Sequence, residues 1–275
     1  MTRTPRHPVA ESPQIARGVR PAVLTIAGAD SAGCAGVQAD LRTFQAFRVH
    51  GLSALTAVTA QNTRAVHGVF ALAPAVLESQ LAALADDFPI AAVKIGMLGS
   101  AAAIEVVAHW LARRRCPVVL DPVLVSSSGT PLLPRPAVAR LRSRLLPRAT
   151  LLTPNLPEAQ ALIGRTARAA GEDPIALAQV LHRITGHGVL LKGGHGGEDP
   201  IRDVLVDAHG DLRVYRHRRL PFDARGTGCT LAAGVAAGLA LGLTLPLAVA
   251  RAEQHLQGAL RRAYPMGRHR MHVLG

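Results

Sequence analysis

Aromatic side chains are scarce in this 275-residue chain: phenylalanine, tyrosine and tryptophan together make up 3% of it. The core must therefore be built from alanine, valine and leucine, and at 49% hydrophobic residues there is enough for one sizeable core. The same scarcity bears on the net charge of +13. Basic residues with few aromatics among them stack bases poorly. They are also scattered, with no basic helix and no zinc-finger spacing, so nucleic acid is not an expected partner. Cysteine is rare. Cys34, Cys116 and Cys229 show neither metal-ligand spacing nor a disulfide framework, which fits a reduced, cytoplasmic setting. Lysine is almost missing: 29 of the 31 basic residues are arginine, leaving only Lys94 and Lys192. Those two mark places where a guanidinium does not serve. Residues 1–20 lack an apolar run and read as neither a signal peptide nor a transit helix. Their three prolines and four arginines predict a disordered basic tail.

One stretch lacks charge altogether, residues 226–250. It is long enough to span a bilayer, and Gly234, Gly238 and Gly242 repeat at four-residue spacing. Pro246 breaks the run, however, and nothing else in the chain looks membranous. A buried helix of a water-soluble domain, with glycines allowing close packing, is the expectation.

Elsewhere short apolar runs alternate with amphipathic stretches. Strands are predicted at Ala22 to Ala27, Leu52 to Thr59, Ala91 to Ile95, Val118 to Leu120, Leu151 to Leu152 and Gly188 to Leu191. Two more, near Val204 to Val206 and Leu212 to Tyr215, flank the hairpin signal His209-Gly210. Helices are predicted from Val37 to Arg48 and near 74–86, 100–114, 136–146, 157–163, 174–185, 228–242 and 246–263. This alternation implies one α/β domain with a mostly parallel central sheet. We place the domain at residues 21–264, followed by a C-terminal tail at 265–275.

Ligands of such sheets bind beyond the carboxyl ends of the strands, and the chemically interesting residues gather there. Gly226-Thr227-Gly228-Cys229-Thr230 opens a helix, whose free N–H groups make an anion cradle. Cys229 in its first turn is a candidate base, since a helix N-terminus lowers a thiol's pKa. Asp121 ends a strand and can hold Mg²⁺ or sit near a transferring phosphate. Asn155 and Glu158 suit either a helix-capping pair or the orientation of metal-bound water. Lys192, beside Gly193 and Gly194, suits a nucleotide phosphate. Gln61 and Asn62 either read a heterocycle through their amides or cap a turn. Gly28 to Gly36 is a small-residue loop that can set backbone and Asp30 against a ligand, but it is neither a P-loop nor a dinucleotide fingerprint. A cradle, a metal carboxylate, a cation and a base are the parts of a phosphoryl-transfer site.

From about Ala22 to Arg262 the chain resembles the hydroxymethylpyrimidine/phosphomethylpyrimidine kinases of thiamine biosynthesis, in the ribokinase-like superfamily. The likeness rests on ordered blocks: Leu24 to Gly28, Gly36 to Leu41, Thr59 to Thr63, Lys94 to Leu98, Asp121 to Val123, Thr153 to Ala159, Lys192 to His195 and Gly226 to Thr230. The resemblance implies a three-layer α/β/α fold, a homodimer and Mg-ATP as donor. It implies two phosphorylations, of 4-amino-5-hydroxymethyl-2-methylpyrimidine and then of its monophosphate. Gln61 would hydrogen-bond the pyrimidine, Gly28, Ala35, Met97 and Val123 would line its pocket, and Asp40 would lie nearby. Asn155, Lys192 and Thr227 would serve the nucleotide, with Asp121 and Glu158 on the metal. Cys229 would stand where superfamily relatives carry an aspartate base, and the Gly226–Gly228 N–H groups would stabilise the phosphoryl oxygens.

The chain also departs from that pattern. Cys34 replaces a glycine and adds bulk beside the expected pyrimidine, and Ser31-Ala32 replace proline and serine. Thr59 replaces an apolar residue, and Arg225 a histidine. Leu220 to Ala224 is one residue short, and the C-terminal glycine-histidine-glycine-proline signature is poorly kept in Gly267 to His272. Two alternatives follow: a pyridoxal or pyridoxine kinase, whose substrate ring bears the same hydroxymethyl group, and a non-catalytic pyrimidine-binding regulatory protein.

Overall fold

The computed structural model describes residues 20–126, 129–164, 173–194 and 198–275; the predicted tail, Arg20 apart, and His195 lie outside these. A nine-stranded sheet runs through the molecule. Its strands are β1 (Ala22–Asp30), β2 (His50–Gln61), β3 (Val66–Ala71), β4 (Ile90–Ile95), β5 (Val118–Leu120), β6 (Leu151–Leu152), β7 (Gly188–Leu191), β8 (Ile201–Val206) and β9 (Leu212–His217). They lie in the order β3-β2-β1-β4-β5-β6-β7-β8-β9. The six from β2 to β7 are parallel, while β3, β8 and β9 are antiparallel additions at the two edges. The inner strands are apolar on both faces, as a sheet covered on both sides requires.

Eight helices are seen among the described residues: α1 (Gly36–Ala46), α2 (Pro74–Asp87), α3 (Ala101–Leu111), α4 (Arg135–Arg144), α5 (Leu156–Ile163), α6 (Pro174–Thr185), α7 (Thr227–Ala240) and α8 (Leu245–Arg261). Helices α1, α7 and α8 cover one face and α2 to α6 the other, each over its own apolar cluster. This is the three-layer α/β/α arrangement. The largest side chain fully buried on the first face is Phe44, and truncating such a residue to alanine costs about 3–5 kcal/mol.

The uncharged run is α7, buried for most of its length. A Cβ on Gly234 or Gly238 would come within 2.9 Å of the Cβ of Ala252 or Ala248, so the glycines let α8 pack close. No helix among the described residues is long and apolar enough to cross a membrane.

Three features differ from the sequence expectation. Strand β1 continues through Gly28-Ala29-Asp30, which form its last residues rather than a loop. Strand β3 was not foreseen, because its side chains are mostly exposed, Phe70 among them, and give no half-buried alternation. The C-terminal boundary expected at 264/265 falls inside a strand. Residues Tyr264–Met266 (β11) and Met271–Val273 (β12) form a hairpin, and β12 pairs with β10 (Ala224–Arg225), just before the glycine turn. The stacked rings of Phe222 and His272, 4.0 Å apart, reinforce that contact.

β1 has β2 on one side and β4 on the other. The chain thus leaves β1 in one direction and returns to fill the other, which opens a crevice at the strands' carboxyl ends.

Candidate active site

A cleft of about 260 Å³ occupies that crevice. Gly28, Ala35, Gln61, Met97 and Val123 line it, and so do Asp121, Asn155, Glu158, Lys192 and Gly226 to Cys229. Of the residues to which the resemblance assigns a role in the site, only Asp40 does not reach the cleft. It is buried behind the wall, where its Oδ2 accepts from Lys94 Nζ at 2.8 Å and from Thr25 Oγ1 at 2.6 Å. Lys94 is the group that faces the cleft. Burial alone would lower its pKa, but the Asp40 carboxylate outweighs this and the ammonium is held. Asp40 has no room for a substrate, because a fully buried ion pair fills its position.

The glycine turn follows from backbone geometry. Gly226 caps α7 with φ +83°, a left-handed conformation, and a Cβ there would collide with the Cys34 carbonyl oxygen. At Gly228 a Cβ would lie 3.1 Å from Lys192 Nζ, so the missing side chain leaves room for the ammonium. Lys192 Nζ donates to Asp121 Oδ1 at 2.7 Å, and Thr153 Oγ1 donates to the same oxygen at 3.2 Å. Burial opposes the charge on Lys192, but Asp121 and Glu158 more than offset it and its pKa is raised.

Asn155 and Glu158 form a reciprocal capping box at the start of α5. The Glu158 N–H donates to Asn155 Oδ1, and the Asn155 N–H to Glu158 Oε2, both at 2.9 Å. The capping alternative is thus realised, yet both residues still line the cleft. Burial pushes the Glu158 carboxyl up to about 7; Lys192 pulls it down and Asp121 pushes it further up. Two carboxyl groups facing one cleft are a donor set suited to a hard divalent cation.

Cys229 departs from its expected chemistry. Burial pushes its thiol up to about 11, against the pull of the Lys94 ammonium. The field of the helix start does not make it a thiolate, because desolvation of the anion outweighs it.

The ring end of the cleft divides the two candidate amides. Gln61 lines the cleft and its side-chain amide makes no hydrogen bond among the described residues. Asn62 instead closes the β2–β3 turn, its Oδ1 accepting from the N–H groups of Arg64 and Ala65. Thr59 lines the cleft, its hydroxyl donating to the Ala29 carbonyl. Thr56 Oγ1 donates to the Met97 carbonyl at 2.7 Å and fixes the backbone that carries Met97.

Asp30 reaches the cleft, but its carboxylate is occupied. It accepts from the N–H groups of Ala32, Cys34 and Ala35 at 2.7–2.9 Å and so shapes the 31–35 loop. Cys34 does not line the cleft as expected; its Sγ turns to the Ala32 carbonyl at 3.4 Å, and burial raises its pKa. Arg225 does line the cleft. It is 8% exposed, its Nη2 donates to the Arg64 carbonyl at 3.4 Å, and its Nε has no partner among the described residues. Val125, Ser126 and Leu132 complete the wall from the loop after β5. Sequence reasoning passed over them, since that loop carries no spacing signal.

The phosphomethylpyrimidine kinase family model matches residues 30–274. The chain is 45% identical over 251 residues to the thiamine biosynthesis bifunctional protein ThiED of Geobacter sulfurreducens, covering 90% of this chain but about half (51%) of that longer protein. It is 43% identical over 250 residues to the hydroxymethylpyrimidine/phosphomethylpyrimidine kinase of Streptomyces coelicolor, covering 90% of this chain and 91% of the relative. Among solved structures, the pyridoxal kinase of Staphylococcus aureus in complex with ADP superimposes with a TM-score of 0.82 at 31% identity, covering 94% of each chain.

Proposed function

Since the chain belongs to the phosphomethylpyrimidine kinase family, we propose that it phosphorylates 4-amino-5-hydroxymethyl-2-methylpyrimidine and then its monophosphate, two steps of thiamine biosynthesis. It is a kinase of ribokinase-like fold that uses ATP. The observation that carries this reading is convergence: the Gly226–Gly228 N–H groups, Lys192, the Asp121/Glu158 pair and Cys229 meet the free Gln61 amide in one cleft. The curated relatives at 43% and 41% identity are hydroxymethylpyrimidine/phosphomethylpyrimidine kinases, which favours the pyrimidine over pyridoxal.

In this reading the ring lies between Gly28, Ala35, Met97 and Val123, and Gln61 hydrogen-bonds its heteroatoms. The hydroxymethyl oxygen faces Cys229. Cys229 acts through its thiolate form, which the Lys94 ammonium favours against burial; the thiolate takes the hydroxyl proton as the phosphoryl group arrives and becomes the neutral thiol. The N–H groups of Gly226, Thr227 and Gly228 receive the phosphoryl oxygens, while Asn155, Thr227 and Lys192 hold the nucleotide. Asp121 and Glu158 would hold Mg²⁺, which would supply positive charge against the phosphates. The reading includes a homodimer in the cytoplasm; sedimentation velocity reads the mass, and a monomer would remove that part.

The test is incubation with Mg-ATP and, separately, the hydroxymethylpyrimidine, its monophosphate and pyridoxal, with ADP and product masses measured. The first two should yield the mono- and diphosphate. No turnover of either overturns the reading, and turnover of pyridoxal alone replaces it with a pyridoxal kinase.

A further inference from the structure

Outside the cleft, β8, β9 and α8 bring together Asp203, His217 and Glu253. One ligand atom from each lies within 4.8 Å of the other two, and His217 Nδ1 is 3.9 Å from Asp203 Oδ2. Asp203 is 4% and Glu253 6% exposed. Asp203 Oδ1 is occupied, accepting the Gly193 N–H at 2.6 Å. Neither Glu253 oxygen meets a hydrogen-bond donor among the described residues, and its carboxyl group lies within hydrogen-bond reach of the Asp203 carboxylate. A buried carboxyl beside another carboxylate is costly unless a proton or a cation joins them. We propose that Asp203, His217 and Glu253 bind one divalent transition-metal ion, at a site separate from Asp121 and Glu158.

The donor set selects the ion class. One imidazole nitrogen and two carboxylates suit zinc, cobalt or manganese, whereas magnesium and calcium prefer oxygen alone. Donors around a tetrahedral ion stand about 3.3 Å apart, so His217 Nδ1 and Asp203 Oδ2, now 3.9 Å apart, would close by about 0.6 Å, and no pair by more than about 1.5 Å. Access is open, because Asp203 and His217 line a cleft shared with Lys192, Gly193 and Gly194. Asp203 also fixes the Gly193 N–H next to Lys192, so an ion here would stiffen the loop beside the candidate nucleotide site.

The test uses the full chain, freed of metal with a chelator, then titrated with CoCl₂ in excess MgCl₂ and followed by visible absorption. ZnCl₂ is added in parallel and read by thermal unfolding. The wild type should take up one equivalent of cobalt with a d–d band and no sulfur charge-transfer band. Zinc should raise its Tm. Glu253→Gln and His217→Asn should each bind cobalt at least about tenfold more weakly, and Glu158→Gln should bind it as the wild type does. Using two variants keeps the test open if one fails to fold. Equal uptake by wild type and variants, a sulfur charge-transfer band, or no uptake at all would overturn the proposal and leave Glu253 sharing only a proton with Asp203.

Discussion

Replacing Lys94 by methionine keeps most of the side-chain volume and removes its charge. The Lys94–Asp40 pair is fully buried, with Lys94 Nζ 2.8 Å from Asp40 Oδ2, and Asp40 Oδ1 has no hydrogen-bond partner among the described residues. Removing one member leaves a buried carboxyl held only by the Thr25 hydroxyl. Breaking a pair of this kind costs about 3–5 kcal/mol. At roughly 2–4 °C per kcal/mol for a domain of this size, calorimetry should show Tm lowered by about 10 °C. The penalty belongs to the orphaned charge, so the double variant Lys94→Met/Asp40→Asn should recover most of it, because asparagine still accepts from Thr25 without needing a cation. The pH dependence provides a second check. In Lys94→Met the folded state holds the Asp40 proton more tightly than the unfolded chain does. Stability is therefore retained at acid pH and falls as pH rises above the usual carboxylate range, more steeply than in the wild type. A Tm shift below about 3 °C, or a double variant no more stable than Lys94→Met, would refute the reasoning.

Cys229→Ala should lower kcat by about 10² or more with KM little changed. If the Cys229 thiolate takes the proton, kcat/KM of the wild type climbs with pH towards the thiol's value of about 11, and a variant with the same slope would remove Cys229 as the base. Glu158, pushed up to about 7, competes for its proton with a cation, so Mg²⁺ affinity should rise between pH 6 and 8 and then level off; Glu158→Gln should flatten that rise, as read by calorimetric titration. Gly226→Ala forces a side chain into a left-handed position against the Cys34 carbonyl, and should lose about 1–3 kcal/mol of stability along with most turnover. Cys34→Ala should leave turnover close to wild type, since Cys34 does not line the cleft; a large change in KM for the pyrimidine would contradict that placement.

The parallel strands and their helices were legible because each carries a strong periodic or fully apolar signal, and β5, β6 and β7 have the predicted ends. Features that depend on long-range contacts were not legible. Strand β3 has no buried face, and β12 is stabilised by pairing with a dipeptide 46 or more residues earlier in the chain. Within the site, residue identity announced which groups gather, but burial decided what they do. Asp40 reads as a polar candidate and is used up by Lys94. Asn62 and Gln61 are neighbours, yet alternation along β2 and its turn sends one to the turn and the other to the cleft. Cys229 stands at a helix start, as predicted, but sequence carries no measure of the desolvation that keeps it neutral.

The near-absence of lysine now has a physical explanation. Both lysines end beneath a glycine: a Cβ on Gly96 would lie 2.7 Å from Lys94 Nζ, and one on Gly228 would lie 3.1 Å from Lys192 Nζ. Each pocket admits a single nitrogen on a slim stem, and the planar, three-nitrogen guanidinium of arginine would collide with the backbone there. Each ammonium is also paired to a buried carboxylate, Asp40 or Asp121, while still acting on Cys229. The attracting charges near the thiol are therefore held in place before any substrate arrives. In the proposed reaction the base is the thiolate, and a buried thiolate needs such fixed cations, because they stabilise its charge without reorganising. That requirement rejects the bulkier and more strongly branching arginine at these two positions, while the remaining basic positions are free to carry it.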